Sequence, residues 1–369
     1  MIVFILIVMA AAMAYYTLLS KYGELWSAME DASTDVPPTL TKATVSILVP
    51  FRNERDNLSK LLHNLDALNK DGYSVQVVMV NDHSTDGGEQ LVKEYAGKLD
   101  IVLVNQTENT GKKAAIRLGW EHCKGDYVLQ TDADCVLPFN WLGSMLGAFS
   151  DERIDLACGP VQFHSAANFW KQIVALDFEA LIAIGAAHIQ WGKPMICNAA
   201  NLAYRKSLIV DLDLNDSTAS GDDVFLLQSA YSKDEASIVF VKNKAALVKT
   251  DGPNSFSAFW HQRLRWASKN GDYDIKQNMW ILAGVWSYNV LILLSLLSFT
   301  GIGVLSGAFL ILIKVLAEDR FYSRFVSFFD RDLWFTNLLF GQPFHILYMA
   351  IVPPLSQVLK YKWKERKLR

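Results

Sequence analysis

The sequence predicts an α/β domain, a mostly parallel sheet between helices, held between apolar helical segments at its two ends. Three observations predict it. From Val45 onward, apolar runs of strand length alternate with amphipathic stretches of helix length, the pattern of strands covered on both faces by crossover helices. Of 369 residues, 51% are hydrophobic and only 20% charged, with a mean hydropathy of +0.15, whereas soluble globular chains carry about 25% charge. That apolar surplus is localised: residues 2–19, 281–317 and 333–359 hold one charged residue, Lys314, while the 238 residues from Ala43 to Trp280 read as ordinary soluble protein. Disorder, a collagen-like repeat, a porin-like barrel and a purely soluble enzyme are excluded by this distribution.

The first element is an expected N-terminal transmembrane helix over residues 1–20. Ile2–Leu19 is uncharged over 18 residues, near the lower limit for crossing a hydrocarbon layer about 30 Å thick. A signal peptide is the competing reading, with small residues at 10–14. Against it, no basic segment precedes the apolar run, and Tyr15 and Tyr16 suit an interfacial anchor.

The soluble domain follows over 43–270. Strands are expected at 45–50, 75–81, 101–105 and 126–132, with helices near 54–68, 87–96 and 111–123. In such sheets ligands bind beyond the carboxyl ends of the strands. No GxGxxG or GxxxxGK[ST] occurs, which removes the commonest dinucleotide and P-loop readings. Carboxylates recur there instead: the second strand runs into Asn81-Asp82-His83-Ser84-Thr85-Asp86, and the fourth into Asp132-Ala133-Asp134. Two carboxylates at i and i+2, where a strand opens into a loop, can hold a hard divalent cation that neutralises a diphosphate. Taken singly, each Asp equally suits a turn or a helix cap. Phe169–Trp191 is rich in Phe, Trp, Ile, Leu and Ala and reads as a core helix or as one lying on a membrane surface.

Residues 281–317 are twice the length of one span and are interrupted at Thr300, Gly301 and Gly303, so a transmembrane hairpin is expected. Lys242, Lys244, Lys249, Arg263, Arg265, Lys269 and Lys276 precede it, which places the domain on the cytoplasmic side. The segment 333–359 contains Pro343, Pro353 and Pro354 and is followed by the basic tail 360–369, which carries six bases and one acid. A simple crossing would put that tail outside, so a re-entrant helical pair competes with a transmembrane span. The formal net charge of −3 becomes −8 without the tail, which argues against nucleic-acid binding; the tail suits anionic lipid headgroups or a solvated end that fixes topology. Cys123, Cys135, Cys158 and Cys197 form no CxxC pair, so neither a zinc site nor disulfides are expected.

Six short motifs stand in order along the domain: VPFRNE (49–54), NDHSTDG (81–87), GKKAAI (111–116), TDAD (131–134), SGDDVFL (220–226) and QRLRW (262–266). Together they resemble the inverting family 2 glycosyltransferases over roughly 43–270. They match the first-strand motif, DDxSxDG, the basic turn before the third helix, DxD, the acidic pair usually written ED, and QxxRW. Two positions depart from the family pattern: Asn81 replaces the first Asp of DDxSxDG, and Asp222 replaces the Glu of ED.

The resemblance implies a GT-A nucleotide-sugar fold and a metal-dependent, inverting transfer of a sugar, from a UDP-sugar by family frequency, to a hydroxyl. It implies Mg²⁺ or Mn²⁺ on Asp134 with support from Asp132. Lys112, with Lys113 as the fallback, adds positive charge at the diphosphate, Asp82 meets the base, and Glu54 lies close to the nucleoside. Asp223 is the expected general base, with Asp222 beside it; an unperturbed Asp, pKa about 3.9, is a weak base. Gln262, Arg265 and Trp266 fall on one predicted helix, where Arg265 suits a diphosphate and Trp266 a sugar face. The same helix also reads as amphipathic on the bilayer, with Arg263 and Arg265 snorkelling. On the acceptor side Asn198, Asn201 and Arg205 are candidate hydrogen-bonding residues.

The sequence thus points to a multi-pass enzyme of the cell inner (plasma) membrane that glycosylates a lipid-linked or membrane-proximal acceptor. A processive polysaccharide synthase and a non-catalytic membrane scaffold on the same fold are the alternatives. The scaffold reading requires loss of the acids at the DxD or ED positions, and none is lost.

Overall fold

The computed structural model describes all residues except 33–39, 41, 108–110, 165–167, 212–220, 233–236, 269–275, 360, 364–365 and 369. Ser220 of the acidic motif, Lys269 and parts of the basic tail lie outside the described residues. The chain divides into two compact units: Met1–Ala28, Ser165–Ala187 and Pro253–Arg369 form a helical unit, and Met29–His164 with His188–Gly252 a sheet unit.

The chain begins with α1 (Ile2–Ala28), about 40 Å long at 1.5 Å per residue. The alternation anticipated from Val45 follows as β1 (Thr44–Phe51), α2 (Arg55–Ala67), β2 (Ser74–Asn81), α3 (Gly88–Tyr95), β3 (Ile101–Asn105), α4 (Lys112–His122) and β4 (Tyr127–Gln130). β1 is buried from Ile47 through Phe51 and β2 from Val77 through Asn81, as continuous apolar strands between helical layers require. Then come α5 (Trp141–Leu146), β5 (Ile154–Cys158), β6 (Val161–Phe163), α6 (Phe169–Gln190), β7 (Leu202–Arg205), α7 (Asp222–Ser232), β8 (Ser237–Phe240) and β9 (Val248–Thr250).

Among the described residues the main sheet has seven strands in the order β3-β2-β1-β4-β7-β5-β8. β1 pairs parallel with β2 and β4, and β2 with β3. β7 alone runs antiparallel, between β4 and β5, so the mostly parallel sheet predicted from the sequence is what the chain forms. β6 and β9 make a separate parallel pair.

In the helical unit, α8 (Phe256–Ala267) is followed by α9 (Lys276–Leu296), α10 (Gly301–Phe325) and α11 (Trp334–Ser356). Thr300 caps α10, its Oγ1 accepting from Gly303 N at 3.1 Å, at the interruption read from the sequence. α6 is mostly buried, as a core helix is. Where a broken, re-entrant pair was one expectation for 333–359, the structure has a single helix that carries Pro343, Pro353 and Pro354 internally. A proline removes one helical hydrogen bond, a smaller loss than the several exposed backbone groups of a break in apolar surroundings. The tail forms a short hairpin, β10 (Tyr361–Trp363) with β11 (Arg366–Leu368). Five helices among the described residues, α1, α6, α9, α10 and α11, are long and apolar enough to cross a membrane.

Candidate active site

The carboxyl ends of β1, β2 and β4 run into three loops of the sheet unit, and the motif residues lie on these loops. The first two loops are stitched together. Asn53, at φ +49°, accepts from Thr85 N at 2.8 Å through Oδ1 and donates from its backbone to Ser84 Oγ at 3.0 Å. Arg55 N donates to Asp86 Oδ2 at 2.7 Å. Glu54, half-buried between them, accepts from Asn57 Nδ2 at 2.7 Å.

Asp82 lies beneath this surface, 2% exposed. Its Oδ1 accepts from Gly111 N at 3.1 Å, has His83 Nδ1 at 3.2 Å, and stands 3.9 Å from Arg52 Nη1. Gln106 donates to the same oxygen at 3.1 Å in the amide orientation that also lets it accept from Ala115 N at 3.0 Å. Asp82 therefore ties the second loop to the start of α4. Sequence reasoning missed Arg52 and Gln106, although both were findable: Arg52 is inside VPFRNE, and Gln106 is the first polar residue past β3.

Asn81, the departure from the family pattern, has a specific use. Its amide donates to Asn105 Oδ1 at 2.9 Å and its oxygen accepts from Ser84 N at 2.9 Å. A carboxylate has no donor for Asn105.

The third loop carries the DxD. Ala133 and Cys135 are buried, while Asp132 and Asp134 between and beside them are half-exposed. Lys112 Nζ, from the first turn of α4, lies 2.7 Å from Asp132 Oδ1 and 3.3 Å from Asp222 Oδ2. Three sequence motifs meet in that contact. Burial works against the charged amine, but the carboxylates of Asp132, Asp222 and Asp223 outweigh it and hold the Lys112 pKa above the usual lysine range. The alternative, Lys113, is buried. Both helices that deliver these side chains start after a glycine with positive φ, Gly111 at +107° and Gly221 at +98°, a region that a Cβ disfavours.

Asp222 and Asp223 open α7, where negative charge suits the exposed N–H groups. Asp223 Oδ1 accepts from Val224 N at 2.9 Å, and Cys197 Sγ donates to the Asp223 carbonyl at 3.2 Å. Asp132, Asp222 and Asp223 all act on Lys112, so the motif acids gather around one ammonium. Asp132 and Asp134 are both half-exposed, and one or two carboxylates are the ligand set with which Mg²⁺ binds when phosphate oxygens complete its shell. The residues fit such an ion.

Two candidates have structural roles instead. Asn201 is fully buried, and its amide is used: Oδ1 accepts from Trp141 Nε1 at 2.9 Å, and Nδ2 donates to Pro160 O at 2.8 Å and Ala246 O at 2.7 Å. Arg205 donates to Ile154 O at 2.9 Å and to Tyr127 Oη at 3.1 Å, beside Asp155 at 3.7 Å. Asn198 shapes the turn by accepting from Ala200 N at 3.0 Å. A lone sequence cannot separate a polar side chain that binds a ligand from one that satisfies buried backbone.

Gln262, Arg265 and Trp266 are on α8, in the helical unit. Trp266 packs on Phe178, ring centroids 6.0 Å apart. Arg263 does not snorkel: it is 5% exposed and pairs with Asp177 at 2.5 Å, because a helix packed on other helices gives that face no water.

The six-to-one parallel sheet, with acids at its carboxyl edge, is a GT-A-type fold. Residues 46–212 match the sequence model of glycosyl transferase family 2. A segment of 97 residues, 26% of the chain, is 41% identical to undecaprenyl-phosphate 4-deoxy-4-formamido-L-arabinose transferase of Pseudomonas fluorescens (strain Pf0-1), covering 28% of it. Over 225 residues, 60% of the chain, identity to poly-beta-1,6-N-acetyl-D-glucosamine synthase of Staphylococcus aureus (strain MSSA476) is 22%, covering 53% of that protein. The matches thus span about half or less of these relatives. The fold is similar to that of a mannosyltransferase from Pyrobaculum calidifontis, solved with GDP-Man and Mn²⁺, with a TM-score of 0.57 at 17% identity over 96% of this chain and 98% of that one.

Proposed function

We propose that the protein is an inverting glycosyltransferase that moves a sugar from a nucleoside diphosphate donor, a UDP-sugar first, to a hydroxyl of a lipid-linked or membrane-proximal acceptor. The observation that carries this reading is the meeting of Lys112 with Asp132 and Asp222, which joins three family motifs at the ligand-binding edge of the sheet.

In this reading the acceptor oxygen attacks the anomeric carbon from the face opposite the diphosphate. The bond from that carbon to the diphosphate oxygen breaks, and the hydroxyl proton passes to Asp223, with Asp222 beside it. Lys112 holds the carboxylates in place and faces the leaving group with its positive charge. A divalent cation, Mg²⁺ or Mn²⁺, when held by Asp134 and Asp132, supplies charge neutralisation at the diphosphate. Asp82 and Glu54 border the nucleoside end, and Gln262, Arg265 and Trp266 are further donor contacts by the motif they match.

We further place α1, α9, α10 and α11 across the inner (plasma) membrane with the sheet domain cytoplasmic, supported by the bases that precede α9. The undecaprenyl-phosphate transferase relative supports a lipid acceptor. The synthase relative favours a second reading, a processive polysaccharide synthase.

Purified full-length protein, supplied with Mn²⁺, membrane lipid extract and a panel of UDP- and GDP-sugars, separates the two. One sugar added to a lipid supports the first reading. Long saccharide chains support the second, and absence of any nucleotide release contradicts both.

A further inference from the structure

The helical unit holds charges in its apolar interior. Lys314, fully buried midway along α10, pairs with Glu318 one turn later. Tyr15 of α1 donates to Glu318 Oε1 at 2.7 Å, and Gln342 of α11 to Oε2 at 2.5 Å. On its other side Lys314 Nζ lies 2.9 Å from His345 Nδ1. An ammonium can only donate, so Nδ1 accepts and the ring proton stands on Nε2.

That Nε2 lies 3.6 Å from Asp177 Oδ1, on α6. Asp177 also accepts from the hydroxyl of Tyr348, and its Oδ2 is 2.5 Å from Nη2 of Arg263. Arg263 lies with its guanidinium 4.6 Å from the centre of the Trp266 ring and 4.9 Å from that of Phe259. A single chain of polar contacts therefore links α1, α10, α11, α6 and α8.

Its charges balance without a ligand: Glu318 and Asp177 against Lys314 and Arg263, with a neutral imidazole between. An anion-binding pocket would carry surplus positive charge. Charges in apolar surroundings are expensive, and a buried ion pair adds little stability over apolar side chains of the same volume. What such contacts supply is a fixed register between helices.

We infer that Asp177 is a positioning residue for the QxxRW helix: held by the Tyr348 hydroxyl, with His345 Nε2 3.6 Å away, it clamps Arg263 and so sets the rotation of α8. Gln262, Arg265 and Trp266 flank Arg263 on that helix, so their presentation depends on the clamp. The inference rests on the reading of these three as donor contacts.

Hydrogen–deuterium exchange of the full-length protein in lipid nanodiscs, read on peptides covering 256–267, tests it. Asp177→Asn is compared with Lys314→Met/Glu318→Met, which replaces a buried pair by apolar side chains and is expected to fold. The α8 amides should exchange roughly fivefold faster in Asp177→Asn and at least about twofold faster in the double variant. Nucleotide release should show a raised donor KM in both, with kcat changed less. Wild-type exchange in α8 of Asp177→Asn, an unchanged KM, or a change in the double variant confined to α10 and α11 would each overturn the inference. Should Asp177→Asn fail to fold, the double variant decides alone. If the wild type turns over no donor, the glycosyltransferase reading fails, while the exchange measurement still decides the clamp.

Discussion

The ammonium of Lys112 sits 2.7 Å from the carboxylate of Asp132, joining the first turn of α4 to the DxD loop. Removing that charge takes away the cation shared by Asp132 and Asp222. Lys112→Met should lower transfer by roughly a hundredfold, the scale of losing one electrostatic contact at a reacting phosphate. Initial rates of nucleotide release check it, and Lys112→Arg should recover only part, because a planar fork does not replace a point charge.

The raised pKa of Lys112 also sets a pH expectation. A lysine whose folded pKa lies above its unfolded value, about 10.4, contributes fully below that value. The contribution is lost only as pH rises through the higher folded pKa. A rate profile from pH 6 to 9 should therefore show no alkaline decline that disappears in Lys112→Arg.

Asp134 is the proposed metal ligand that does not share Lys112's closest carboxylate. After chelation with EDTA, activity should return on adding Mn²⁺. In Asp134→Asn the Mn²⁺ concentration for half-maximal rate should rise at least about tenfold, the lower end of what losing a ligand-shell partner costs. An unchanged titration would remove Asp134 from the metal site.

Asn201 and Gly159 form a structural unit: a Cβ at Gly159 would collide with the Asn201 amide. Asn201→Ala strands two carbonyls and an indole N–H and should cost about 2–4 kcal/mol. Gly159→Ala should destabilise in the same direction. Thermal unfolding measures both, and a change confined to acceptor KM, with stability intact, would restore Asn201 to the acceptor site.

Asn81→Asp, which recreates the family residue, should lower stability by about 1 kcal/mol, the worth of one hydrogen bond, by removing the donor to Asn105. It should not tighten donor binding. Parallel unfolding and UDP-binding titrations distinguish these effects.

The strands and helices up to β4 were legible because continuous apolar runs and glycine-marked turns leave little choice of element. Asp132, Asp222 and Lys112 were legible as motif residues, but their contact was not: it depends on the paths of α4 and α7 back to the sheet edge. β7's antiparallel insertion left no mark in LAYR, a four-residue run compatible with either direction. Asn201 and Arg205 were read as acceptor contacts, and Arg263 as snorkelling, because the groups they meet lie far away in sequence. Polar residues near a predicted site look like ligand contacts until the buried carbonyls and carboxylates that they satisfy are located.

The most direct test of the site is the transfer activity of Asp223→Asn, which keeps the side-chain shape and its acceptor oxygen for Val224 N but removes the base. With the donor and lipid acceptor found for the wild type, and donor hydrolysis by water measured separately, transfer should fall by about a hundredfold or more while UDP binding is retained. Transfer at the wild-type rate would contradict Asp223 as the base and, with it, the reaction assigned to this site.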